Sequence, residues 1–126
     1  MTYSEEAFRH FLALERKRTD RSRRCFLLLL VTLRKQAGMS SRLSPAVASA
    51  IFAGLGTGVR EVDFVGWFRE ERVAGAVLTQ GTSVPTAAVV AEIGRRFSER
   101  LCNCLPADVG GRLQLRILQL RPGQEN

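Results

Sequence analysis

The chain has 126 residues, 45% hydrophobic and 25% charged, with a formal net charge of +7 and a pI near 10.6. This balance excludes a disordered polymer and fits a single domain, 1–126, able to bury its own core. The cysteines (Cys25, Cys102 and Cys104) are odd in number, the start is polar and acidic, and the longest apolar run, 25–33, is too short for a bilayer; these exclude a disulfide framework, a secretory signal and a membrane span, and lead to the expectation of a reduced, cytoplasmic setting.

Residues 4–17 predict a helix. Ser4 is a capping side chain, Glu5 and Glu6 suit the positive end of the helix dipole, and Ala7, Phe8, Phe11, Leu12 and Leu14 form an apolar stripe. Behind it come six cations, Arg16, Lys17, Arg18, Arg21, Arg23 and Arg24, against the single acid Asp20. Such a run is either a solvated helix end or a patch for an anionic partner. Cys25 to Leu33 reads as a strand, and its unbroken apolar run from Phe26 to Val31 predicts a central strand covered on both faces. A polar loop, 34–43, follows.

Ser44-Pro45 opens a second helix, with Val47, Ala50, Ile51 and Leu55 on its buried face and Gly54, Gly56 and Gly58 as its stop. The spans 62–68 and 72–79 predict a hairpin joined by a charged turn, with Gly66 and Gly75 marking bulges or close approaches. Of Trp67 and Phe68 beside the turn, one side faces out if the strand alternates; Trp67 reads as core, with an exposed partner anchor as the alternative. A helix over 84–101, capped by Thr82 or Ser83, carries Val89, Ile93, Phe97 and Leu101 at four-residue spacing. Residues 106–111 read as a loop, 112–121 as a final strand and 122–126 as a loose tail. The resulting order, a helix followed by βαββαβ, predicts an α+β, ferredoxin-like antiparallel sheet with helices packed on it.

Few residues here support catalysis. The lone histidine, His10, sits among charges on the first helix and reads as a surface residue, and one histidine cannot supply a Ser/His/Asp set. Cys102 and Cys104 lack the spacing of a zinc site, and the Gly54–Gly56–Gly58 stretch follows a helix rather than a strand, so neither a metal nor a dinucleotide cofactor is called for. RNA-recognition modules share the ferredoxin-like order but stack bases on aromatics of both central strands; 72–79 has none, which leaves basic backbone binding as the nucleic-acid alternative.

Four features together resemble a degenerate GGDEF domain, the diguanylate cyclase fold of bacterial signalling. They are the first helix with Phe8, Leu14 and Glu15, the strand Phe26 to Leu33, the helix leading into Arg60-Glu61-Val62-Asp63, and the turn Arg69-Glu70-Glu71-Arg72-Val73 shortly after Asp63. In that family an Arg-x-x-Asp motif precedes the signature turn by the same interval and is an inhibitory site for cyclic di-GMP. The resemblance therefore implies ligand-binding roles for Arg60 and Asp63; the alternative is that the pair ties the helix end to the hairpin. It also implies what is missing. The positions matching the family's metal carboxylates are Thr32 and Arg34, and the turn's glycines are replaced by Arg69 and Glu70, with Arg72 in place of an acid. The expectation is a non-catalytic domain that acts through a protein partner or self-association, with cyclic di-GMP as an effector and a nucleic-acid-binding module as the alternative.

Overall fold

In the computed structural model, which describes residues 2–58, 63–79 and 85–120, the elements run β1 (Thr2–Tyr3), α1 (Glu5–Ser22), β2 (Phe26–Leu33), α2 (Pro45–Gly58), β3 (Phe64–Arg69), β4 (Val73–Thr79), α3 (Ala87–Cys104), the short α4 (Ala107–Gly110) and β5 (Leu113–Leu120). The strands form one sheet in the order β1-β3-β4-β2-β5. β2 is antiparallel to β4 on one side and β5 on the other, and β3 and β4 form an antiparallel hairpin. Leaving β1 aside, this is the expected βαββαβ, ferredoxin-like sheet.

The apolar run of β2 explains the layering. Side chains alternate across a strand, so Leu27, Leu29, Val31 and Leu33 face one way and Phe26, Leu28 and Leu30 the other. The first set joins Ile51 and Leu55 of α2 and Phe97 and Leu101 of α3 in the larger core. The second set packs with Val77 around Phe8 of α1, which is fully buried. Gly66 and Gly75 are cross-strand partners beneath that ring. A β-carbon at Gly75 would lie 2.8 Å from Phe8 Cζ, and one at Gly66 would lie 2.7 Å from the Tyr3 carbonyl oxygen. They are close approaches, as expected of glycine in a strand.

Several boundaries differ from the expectation. α1 continues a turn and more beyond Lys17, because Lys and Arg are good helix formers and nothing there stops a helix. It ends at Arg23, which takes the left-handed conformation at φ 60° and donates its N–H to the Thr19 carbonyl. Leu14 of the expected apolar stripe is 41% exposed. Gly54 and Gly56 do not stop α2 but lie inside it, and Gly58 is its last residue; Gly54 lets α3 approach, since a β-carbon there would meet Leu101 Cδ2 at 2.8 Å. α3 starts later than expected and is capped by Thr86, whose hydroxyl accepts from the Val89 N–H; Val89 itself is exposed, and Val90 packs on the core instead. Thr82 and Ser83 lie outside the described residues, as do the start of the expected strand at Val62 and the tail from Arg121 onward. Residues 106–111 contain the helical turn α4. The two-residue β1 has no counterpart in the sequence reading; it pairs in parallel with Val65 and Gly66 at the sheet edge. No described helix is long and apolar enough to cross a membrane.

Candidate functional site

The sheet register separates the candidate residues into two groups at opposite ends. Val31 pairs with Ala74 and Leu33 with Leu113, so the end of β2, the β3–β4 turn and the start of β5 lie together. At the other end Phe26 pairs with Thr79 and Leu120, and Asp63 lies next to Thr79.

At the first end stand Thr32, Arg34 and the turn Arg69, Glu70, Glu71 and Arg72. The turn is closed by the Arg72 N–H on the Arg69 carbonyl at 3.0 Å, with Glu71 at φ 62°, a left-handed conformation that ordinarily favours glycine. It is also tied down from outside. The Glu5 carboxylate accepts from the Glu70 N–H at 2.6 Å, and the Glu71 carbonyl accepts from Leu43 N–H at 2.7 Å. Glu71 pairs with Arg42 at 3.4 Å, and Arg72 Nη1 donates to Ser41 Oγ at 3.4 Å. Arg34 reaches across to the Gly111 carbonyl, and the buried Arg112 donates to the carbonyls of Arg34 at 3.0 Å and Ser40 at 2.7 Å. Arg112 therefore anchors the 34–43 loop, a role that sequence reasoning missed; a basic residue opening a strand gives no signal that it is buried.

A magnesium ion requires an octahedral shell of oxygens that includes carboxylates or phosphates. Thr32 and Arg34 supply no carboxylate, Glu71 is paired with Arg42, and Arg34 and Arg72 add positive charge at the same end of the sheet. Among the described residues no three His, Cys, Asp or Glu side chains gather into a metal-binding group. The donor set does not fit the metal that the resemblance implies.

At the second end Arg60 lies outside the described residues. Asp63 Oδ1 accepts from the Thr79 N–H at 2.9 Å and from its hydroxyl at 3.1 Å, which fastens the start of β3 to the end of β4. Beside Asp63 is an open cavity of about 230 Å³ lined by Arg96 and Arg100 of α3, with Gly58, Leu78, Ile93 and Phe97 as its apolar walls. The sequence carries only a faint signal for these arginines, their four-residue spacing on one helix; their proximity to Asp63 depends on how α3 crosses the sheet. Arg96 also donates to Glu92 at 3.3 Å, and the Glu92 carboxyl is held below its ordinary range, first by the hydrogen bond from Arg95 and then by Arg96.

The basic run forms the last turns of α1 and the connection to β2, with Arg18 paired to Glu15 at 2.9 Å. His10 is exposed beside Phe11. Cys25 is buried at the start of β2, whereas Cys102 and Cys104 are exposed at the end of α3. Trp67 stacks edge-on against Phe52 at 4.9 Å and packs on the larger core; Phe68 is partly buried beneath the Arg9 guanidinium.

No family model matches the sequence, and no curated protein matches it either. Solved structures do. A DGC protein from Thermotoga maritima is 15% identical with a TM-score of 0.65, the match covering 94% of this chain and 80% of that one. The FimX GGDEF domain from Pseudomonas aeruginosa is 11% identical with a TM-score of 0.70, covering 99% and 79%. The diguanylate cyclase SiaD of the same organism, solved in complex with its activator SiaC, is 17% identical with a TM-score of 0.66; the match covers 98% of this chain but 49% of SiaD. The chain has the GGDEF-like fold.

Proposed function

We propose that this chain is a non-catalytic GGDEF-like signalling domain of the cytoplasm that works by binding a protein partner or by self-association, with cyclic di-GMP as an effector at the Asp63 end. The observation that carries the first part is the donor set at the end of β2. Phosphoryl transfer depends on cations that neutralise developing charge, and cyclase chemistry has no substitute for carboxylates that hold them. Here those positions carry Thr32 and Arg34, and of the turn's two acids Glu71 is already engaged by Arg42. The solved complex of SiaD with an activator protein supports partner binding as a mode open to this fold.

The effector reading rests on the chemistry around Asp63. A guanine edge offers N–H donors to a carboxylate, and the planar guanidinium pairs with phosphate or with guanine. Arg96 and Arg100 line the cavity beside Asp63, and Arg60 precedes it by the motif's spacing. Calorimetry with cyclic di-GMP is the test. The wild-type chain is expected to bind, and Arg60→Ala and Arg96→Ala are each expected to weaken binding by about tenfold, the loss of one charged pairing. No heat with the wild-type chain removes the effector and leaves the partner reading standing.

A further inference from the structure

Three half-buried rings gather where β1 and the start of β3 meet α1. Tyr3 and Phe11 lie 4.8 Å apart, and Phe64 meets each of them at 6.1 Å in an edge-on arrangement. They floor an open cleft of about 450 Å³ whose remaining wall is Leu14, Glu15, Lys17, Arg18 and Arg21. Leu14, Lys17, Arg18 and Arg21 stand at i, i+3, i+4 and i+7, hence on one face of α1. Along that face an exposed leucine gives way to cations. The cleft's one acid, Glu15, is already paired with Arg18.

We propose that this cleft docks an acidic segment of a partner protein, one whose aromatic or aliphatic anchor enters the ring cluster while its carboxylates run along Lys17 and Arg21. The inference rests on the partner-binding reading above and specifies the partner's chemistry. Charge complementarity selects the occupant: the walls are cationic, and the chain carries +7 overall, so a second copy would meet like charge. The volume suits one or two side chains. Ring geometry disfavours nucleic acid, since the rings close edge-to-face on one another instead of presenting parallel flat faces to stacked bases.

Fluorescence anisotropy of the full chain with a labelled acidic synthetic peptide containing one phenylalanine and one leucine tests this. Binding is expected to weaken with added salt and to be lost when both apolar residues of the peptide are replaced by serine. Lys17→Glu and Leu14→Asp, both at exposed positions, are each expected to weaken it about tenfold. Lys35→Glu, an equal change in net charge in the 34–43 loop, is expected to change it less than about twofold, as for a charge remote from the interface. Equal effects of Lys17→Glu and Lys35→Glu, no binding by the wild type, or tighter binding of a single-stranded oligonucleotide that competes for the cleft would overturn the inference. Failure here rules out this cleft and this partner chemistry alone; sedimentation of the full chain, which reads self-association, tests the broader partner-binding reading separately.

Discussion

Phe8 shows how much a single position settles. Its ring is fully buried across Gly66 and Gly75, and each glycine is small because the ring or the β1 backbone occupies the place of a side chain. Gly66→Ala would press a methyl group against the Tyr3 carbonyl, which is backbone and cannot swing aside. It is expected to lower stability by about 1–3 kcal/mol, the usual cost of overpacking, read from the urea midpoint at unchanged slope. Phe8→Ala is expected to cost more, about 3–5 kcal/mol, by emptying the smaller core. The sequence marked these glycines as close approaches but could not name Phe8 as the neighbour, since a contact between α1 and the hairpin is not written in local spacing.

Elements were legible where their signal is internal. The apolar run of β2, from Phe26 to Val31, announced cover on both faces. Ser4 and Glu5 placed the start of α1 correctly. Legibility failed where another element decides the outcome. Gly54 and Gly56 read as helix breakers, yet α2 carries both; at Gly54 close packing on α3 repays the cost, whereas Gly56 faces open space. β1 is two residues long and exists only because β3 offers an edge. Arg112 belongs to this scale too, since its guanidinium joins β5 to the 34–43 loop through the Arg34 and Ser40 carbonyls. Arg112→Ala is expected to cost about 1.5–3 kcal/mol and to speed amide exchange at Leu43, which otherwise donates to Glu71, while the α2–α3 core stays protected. Uniform loss of protection through the core would contradict a local anchor.

At the scale of the whole molecule the fold sorts its charged groups by end. The charged β3–β4 turn and the 34–43 loop share one end; Asp63 and the α3 arginines share the other, with the ring-floored cleft on the α1 face nearby. The reading of Thr32, Arg34, Arg69 and Arg72 as replacements of the family's functional residues belongs to the proposed function and awaits the test below, whereas the GGDEF-like fold was legible from the strand order. The arginines at Asp63 and the aromatic cleft were not, because both are made by elements distant in sequence. The central claim is electrostatic: an end of the sheet lined by guanidinium groups does not assemble the oxygens that magnesium requires. Its most direct test is turnover of GTP by the purified chain in magnesium or manganese, followed by chromatography of the nucleotides. The account predicts that GTP is recovered unchanged with no cyclic di-GMP formed; accumulation of cyclic di-GMP in proportion to enzyme and dependent on the metal would contradict it.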